Sequence, residues 1–160
     1  MTTRNSDKAL ELTKLNPRDA GVADEMHRVF QRSYRKEAEL VGVEDFPPLR
    51  RTSQDLQDST TEFYGCRIDG ELAAVVEVEG KGRELDICSM VVDPAFFRRG
   101  LASRLLKHLL ALPLWETAVV ETAVANAPAI ALYEKLGFVE ERRWQIEQGI
   151  QKLSLRRQAR

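Results

Sequence analysis

The chain has 160 residues, of which 43% are hydrophobic and 31% charged, and its 24 basic and 25 acidic side chains leave a net charge of −1. This balance is typical of a globular protein, and the net charge does not attract the protein as a whole to nucleic acid or to an anionic membrane, so neither is expected as a partner. No apolar stretch approaches the roughly 20 residues of a membrane-spanning helix, and MTTRNSDKA lacks the apolar core of a secretion signal, so we expect a cytoplasmic protein.

The first third of the chain predicts one strand, one helix and a less regular segment. Residues 1–8 are predicted to be a flexible tail, and the partial alternation of 9–15 indicates a first strand. NPRD (16–19) combines a capping Asn with a Pro in the first turn, which predicts a helix from there to about Tyr34. Residues 35–60 carry no clear period apart from a short helix that Thr52 or Ser53 could cap.

The apolar period then changes to two, which is typical of strands. Three neighbouring strands are predicted, joined by glycine-containing turns, at 62–68, 71–79 and 83–92. Cys66 and Cys88 would lie on strands separated by a third, roughly 9–10 Å apart, too far for a disulfide. We expect both cysteines to be reduced, with a nucleophilic Cys88 paired with one of the two histidines as the alternative.

The second half of the chain alternates helices with strands. A leucine-rich helix is predicted at 99–112, ended by Pro113, and the apolar run 117–124 predicts a buried strand parallel to its predecessor. Pro128 begins a shorter helix that Gly137 stops. FVEERRWQI and GIQKLSLRR then predict a last hairpin.

The order of elements predicts an α/β fold. It consists of a single domain (9–156) with a central mixed, mostly antiparallel sheet flanked by helices, and a short C-terminal tail (157–160).

The turn DPAFFRRGLA (93–102) contains a proline, two phenylalanines, two arginines and a glycine, more than a simple connection between strand and helix requires. A helix N-terminus presents unpaired backbone amides and favours an anion, and Gly100 and Ala102 leave room for close approach. Arg98 and Arg99 would add positive charge. The chain contains neither GxxxxGK[ST] nor GxGxxG, so the known nucleotide-binding loops are excluded. The alternative is an ordinary turn with exposed arginines.

The strand before this turn ends irregularly. Leu85, Ile87 and Ser89 alternate onto one face, whereas 90–92 are all apolar. The break indicates a β-bulge within 90–92, whose free amides would lie at the carboxyl end of the strand, where open α/β sheets bind ligands.

VVDPAFFRRGLASRLL resembles motif A of the GCN5-related N-acetyltransferases (GNAT), whose core is V-x-P followed by [QR]-x-x-G-x-[GA]. Residues 92–94 and 100–102 match this core, whereas Phe97 stands where the family has Gln or Arg. NAPAIALYEKLGF (126–138) is similar to motif B, with its Asn, Leu-Tyr and Leu-Gly-Phe all present. The two motifs follow each other in the family's order, separated by one strand.

The resemblance implies a GNAT fold with the fourth and fifth strands parallel and splayed, acetyl-CoA as co-substrate and no metal. It implies direct acetyl transfer to a primary amine of a small molecule or peptide in a ternary complex. The pantetheine arm would pair with the backbone of 90–92, and the pyrophosphate would lie on amides of 98–103. The residues assigned to acetyl-CoA are Met90, Val91, Val92, Arg98, Arg99, Gly100, Leu101, Ala102, Ser103 and Asn126.

The resemblance also assigns the proton transfers. Tyr133 corresponds to the general acid that protonates the leaving thiolate. Asp86 stands six residues before Val92, where some family members have a catalytic Glu, and Glu84 on the same face is the alternative general base. An α-amine acceptor would need little help from a base. A non-catalytic CoA-binding module of the same fold is the competing function; the acceptor and a homodimer are left open.

Overall fold

The computed structural model of the chain describes residues 10–113 and 115–159, so the tail predicted for 1–8 lies outside the described residues. The strands are β1 (Leu10–Leu15), β2 (Glu62–Ile68), β3 (Glu71–Lys81), β4 (Glu84–Val92), β5 (Thr117–Ala123), β6 (Val139–Gln145) and β7 (Gln151–Gln158). The α-helices are α1 (Ala20–Val41), α2 (Ser53–Gln57), α3 (Leu101–Leu110) and α4 (Ala127–Lys135). Short 3₁₀ turns occupy Pro47–Arg50, Pro94–Phe96 and Glu147–Gly149.

The seven strands form one mixed sheet in the order β1-β2-β3-β4-β5-β7-β6. β4 and β5 are parallel and the other neighbouring pairs are antiparallel. Pairing between β4 and β5 runs from Glu84–Thr117 to Ile87–Val120, although β4 continues to Val92. The two strands therefore separate toward their carboxyl ends, and the predicted α/β fold with splayed fourth and fifth strands is confirmed.

α1 differs from its prediction at both ends. Asp19, rather than Asn16, caps the helix by accepting hydrogen bonds from two backbone amides of the first turn, at 2.9 and 3.2 Å. The helix also continues past Tyr34 until Gly42 ends it in the left-handed conformation, with φ 79°. The apolar spacing weakens after Tyr34, which is why the sequence predicted an earlier end.

The segment after α1 contains the short helix that the sequence predicted. Thr52 accepts a hydrogen bond from the Asp55 amide at 3.0 Å, and the Asp55 carboxylate accepts one from the Thr52 amide at 2.8 Å. This reciprocal capping box makes Thr52 the cap.

The β-bulge lies at Cys88 and not within 90–92, so its predicted position was wrong. Glu77 of β3 pairs with Ser89 and Val78 pairs with Ile87, which leaves Cys88 as the extra residue of β4. The bulge turns Val91 into the core under α1, whereas Ile87 belongs to the core under α3 and α4. Residues 90–92 are all apolar because both faces of the sheet are covered there, not because the strand is irregular there.

The helix after the turn begins at Leu101, two residues later than predicted, because Gly100 adopts φ 70° and serves as its cap. Its leucines pack into the core as the spacing predicted. β7 continues to Gln158 and so includes two of the four residues assigned to a C-terminal tail. Both cysteines are free thiols. Within 10–113 and 115–159, no helix has the length and apolarity that crossing a membrane would require.

Candidate active site

A cavity of about 140 Å³ opens where β4 and β5 separate. Helix α1 contributes Tyr34 and Glu37 to its wall, β5 contributes Glu121, β7 contributes Lys152 and α4 contributes Tyr133. These residues come from four elements that are far apart in the chain, from Tyr34 to Lys152. The separation of β4 and β5 creates the space that they line together. We call this space the splay cavity.

Tyr133, the predicted general acid, lies in the wall of the splay cavity. It is 4% exposed, and its ring packs edge-to-face on Phe138 at a centroid distance of 5.6 Å. Burial raises the pKa of Tyr133, and the charges of Glu37 and Tyr34 raise it further. The phenol is therefore protonated over the whole physiological range of pH and can act only as a proton donor.

Asn126 lies at the wall between the splay cavity and a second cavity, which we call the side groove and which is also lined by Met90, Phe97 and Pro128. The Asn126 side chain caps α4 by accepting a hydrogen bond from the Ala129 amide at 3.3 Å. The structure therefore brings together Asn126 and Met90, two residues that the resemblance assigns to acetyl-CoA.

Two carboxylates in the splay cavity were not predicted. Burial raises the pKa of Glu37, against the opposing effects of the Lys152 charge and a hydrogen bond from the Asn126 side chain. Glu121 is about half exposed and lies 3.9 Å from the Lys152 ammonium. Glu37 follows Tyr34 by three residues, so the two share a face of α1, but that spacing has no meaning until the helix is known to cross the splay.

The predicted bases lie in an adjoining depression that shares Glu121 and Lys152 with the splay cavity. Asp86 accepts an ion pair from Lys81 at 2.9 Å. Glu84 pairs with Arg156 at 3.2 Å. Both carboxylates thus already have a cationic partner.

Cys88 also lines the splay cavity, but its thiol is not activated. Cys88 is exposed at the surface, but partial desolvation raises the pKa of its thiol to about 12, and the carboxylates of Glu77, Glu79 and Asp86 contribute. A thiol with this pKa is protonated at neutral pH, and thiolate is the reactive form. The arrangement therefore disfavours the nucleophilic alternative.

The turn after β4 is fixed by Asp93, which is 3% exposed. Its carboxylate accepts a hydrogen bond from the Ala95 amide at 2.9 Å and forms an ion pair with Arg32 of α1 at 3.0 Å. The turn between β4 and α3 is thereby tied to α1, and the start of α3 has a fixed direction.

After the turn fixed by Asp93, the backbone at the start of α3 is accessible from solvent. Arg98 and Gly100 adopt positive φ values of 66° and 70°. A Cβ built on Gly100 would have no heavy atom within 4 Å, so the first turn of α3 can be approached from outside. Arg99 lies over the Phe96 ring at 5.3 Å. Leu101 is one of the residues predicted to bind acetyl-CoA. Its side chain is buried, so only its backbone is available to a ligand.

A chain of polar contacts, also absent from the predictions, connects the splay cavity to the interior. The Tyr34 hydroxyl donates to Ser89 at 3.2 Å, and Ser89 donates to Glu77 at 3.1 Å. The Glu77 carboxylate also accepts hydrogen bonds from the Arg51 guanidinium and from the Thr61 hydroxyl. Within the described residues, His, Cys, Asp and Glu form no cluster of three or more able to hold a metal ion.

The family model described as "Acetyltransferase (GNAT) family" matches residues 23–138. Over 137 residues the chain is 34% identical to UPF0157 protein YqkA of Bacillus subtilis (strain 168), a match that covers 85% of this chain and 40% of that protein. The chain thus spans less than half the length of that relative.

Two further comparisons concern proteins of nearer size. The chain is 32% identical over 113 residues to N-alpha-acetyltransferase RimI of Mycobacterium tuberculosis, covering 68% of this chain and 71% of that one. Its fold superposes on the crystal structure of the ribosomal-protein-S18-alanine N-acetyltransferase of Escherichia coli with a TM-score of 0.74 and 22% identity, over 94% of each chain.

Proposed function

The chain belongs to the GNAT family of acetyltransferases, and from this premise we propose that it transfers the acetyl group of acetyl-CoA to the α-amine of a peptide or protein. One observation carries the proposal. A buried, protonated tyrosine lines the same cavity as two carboxylates, at the point where β4 and β5 separate. Acyl transfer to an amine is accelerated by these two kinds of group, a donor for the leaving sulfur and an acceptor for the amine proton.

The side groove and the first turn of α3 are the proposed acetyl-CoA side of the site. Met90 and Asn126 border both the side groove and the splay cavity, so an acyl group held in the groove would reach the amine there. Gly100 leaves the amides at the start of α3 open to a pyrophosphate, and helix N-termini bind such anions. Met90, Val91 and Val92 would hold the pantetheine arm through their backbone.

Tyr133 is the proposed general acid. The amine nitrogen forms a bond to the thioester carbonyl carbon, the carbon–sulfur bond breaks, and the Tyr133 hydroxyl gives its proton to the leaving sulfur. The attacking nitrogen loses one proton to a carboxylate. Glu121 is better placed for this than Asp86, because it shares the splay cavity with Tyr133. Asp86, in the adjoining depression, would have to act through water.

An α-amine is the acceptor that such a site serves most easily. A lysine-like amine with a pKa of about 10.4 costs about 4.6 kcal/mol to deprotonate at pH 7, whereas an α-amine with a pKa of about 7.7–8.0 costs about 1–1.4 kcal/mol. The name of the M. tuberculosis relative, an N-alpha-acetyltransferase, supports the same class of acceptor.

An acceptor panel tests the proposal. The panel contains a peptide with a free N-terminal alanine, the same peptide with its N-terminus blocked and one internal lysine, and spermidine. Release of free CoA and the product mass are measured, and we expect acetylation of the first peptide. Thermal stabilisation by CoA without turnover of any amine would instead support the non-catalytic module.

A further inference from the structure

Glu37 occupies the boundary between two spaces. It lines the splay cavity together with Tyr133, and it lines the side groove together with Phe97. Met90 and Asn126 share this double position. If the acyl group lies in the groove and the amine in the splay cavity, their meeting point is next to the Glu37 carboxylate.

The charges around the splay cavity do not balance. Three charged side chains line it among the described residues: Glu37, Glu121 and Lys152. Lys152 lies 3.9 Å from Glu121, and its charge acts on both carboxylates. Two carboxylates and one ammonium leave one negative charge in excess, so the cavity attracts a cation.

Glu37 is the carboxylate better suited to hold that cation. Its surroundings are largely desolvated, so burial raises its pKa, whereas Glu121 is about half exposed to water. The Coulomb attraction between opposite charges is stronger in a desolvated site than at an exposed one, and the Glu37 carboxylate is already desolvated before a cation arrives. The hydrogen bond from the Asn126 side chain restrains the carboxylate while Asn126 also caps α4.

We propose that Glu37 binds the ammonium group of the acceptor and thereby selects charged amines over neutral groups of the same size. The inference rests on the proposed function and adds the residue that recognises the acceptor. It divides the work of the two carboxylates: Glu37 holds the acceptor as an ammonium, which loses one proton to water before its nitrogen attacks, and Glu121 takes up the second proton as the amide forms.

The test compares Glu37→Gln with Glu44→Gln, which removes an equal charge from an exposed residue shortly after α1. Two peptides serve as probes: one begins with a free alanine, and in the other a propionyl group replaces the alanyl residue, so that only the ammonium is missing. Binding of each peptide to the CoA-loaded protein is measured by calorimetry, and acetylation of the first is measured separately.

We expect the wild type and Glu44→Gln to bind the alanine peptide at least tenfold more tightly than the propionyl peptide. Glu37→Gln should lose this preference, while a cooperative thermal unfolding transition followed by circular dichroism shows that it is folded. If Glu37→Gln keeps the tenfold preference, or if both peptides weaken equally, the inference is wrong. Glu37→Asp, which retains the charge, should keep part of the preference.

The two proposals fail in different ways. A wild type that acetylates the alanine peptide and a Glu37→Gln variant with unchanged preference would overturn the inference alone. A wild type that neither distinguishes the two peptides nor acetylates the first would overturn the proposed function and, with it, the role of Glu37.

Discussion

Arg51 and Glu77 form a bidentate ion pair inside the fold, with nitrogen–oxygen distances of 2.6 and 2.9 Å. Glu77 is 3% exposed. The same carboxylate accepts a hydrogen bond from the Ser89 hydroxyl. Ser89 in turn accepts a hydrogen bond from the hydroxyl of Tyr34, in the wall of the splay cavity. The ion pair therefore serves both stability and the shape of the site.

Replacing Glu77 by Gln should destabilise the fold by about 3–5 kcal/mol, because it leaves the partly buried Arg51 without its counter-charge. Denaturant unfolding measures this cost. Glu79→Gln is the matched control, since Glu79 lies on the same strand with its nearest cation, Lys81, at 3.9 Å. A loss at Glu77 no larger than at Glu79 would show that the ion pair contributes nothing.

The pH dependence of stability should reflect the same pair. Burial alone would raise the pKa of Glu77, but hydrogen bonds from Arg51 and Thr61 outweigh it and hold the pKa below its ordinary value of 4.5. A lowered pKa in the folded state contributes stability above about pH 4.5, and that contribution is lost as the pH falls through the folded-state value. The melting temperature of Glu77→Gln should therefore fall less steeply than that of the wild type below pH 4.5.

Gly100→Ala should separate backbone strain from loss of the acetyl-CoA site. A side chain at φ 70° costs roughly 1–2 kcal/mol, and a Cβ there meets nothing within 4 Å, so the variant should fold. Gly82→Ala carries the same strain in a distant turn, with φ 63° and equally open space. Both should lose similar stability, whereas only Gly100→Ala should bind CoA more weakly, by more than tenfold in titration. Equal affinities would remove the start of α3 from the proposed pyrophosphate site.

Tyr133→Phe should retain CoA binding and lose turnover by roughly 10²–10⁴-fold, the usual contribution of a general acid. Tyr64→Phe removes a hydroxyl of the same kind from β2, far along the sheet, and should leave kcat unchanged. Steady-state kinetics with the best amine of the panel measures both. A wild-type kcat in Tyr133→Phe would assign the proton transfer to another group.

The sequence predicted the parts of the site that lie on one continuous stretch. β4, the turn and α3 carry a motif because a strand, a tight turn and an open helix start must follow one another within a few residues. Glu37 and Lys152 lie on elements at opposite ends of the chain and meet only through the sheet order, so no local pattern indicates them. The partners Arg51 and Glu77 are likewise 26 residues apart.

The surroundings of Phe97 are another feature that the sequence alone could not predict. The sequence could say that a polar side chain of the family's motif is missing there. The structure places Phe97 46% exposed on the rim of the side groove, next to Met90 and Pro128, where it presents an apolar surface to whatever occupies the groove.

The general base can be located by a pair of variants. We expect Glu121→Gln to lower kcat/KM strongly, because Glu121 shares the splay cavity with Tyr133. Asp86→Asn should have a smaller effect, since Asp86 lies in the adjoining depression and pairs with Lys81. Steady-state kinetics measures both, and the reverse order of effects on kcat/KM would assign the base to Asp86, as the sequence predicted.

Glu37→Gln should stabilise the protein when no acceptor is bound. The folded-state pKa of Glu37 lies above its ordinary value of 4.5 because of burial. Below pH 4.5 the carboxyl is protonated in both states and resembles Gln, so the melting temperatures should be close. As the pH rises through the folded-state pKa, the wild type bears the cost of a desolvated charge that Gln does not have, and the variant should become the more stable protein. Glu44→Gln should show no such divergence. A Glu37→Gln protein less stable than the wild type at every pH would mean that the carboxylate is a structural partner within the fold, not a charge kept available for an incoming cation.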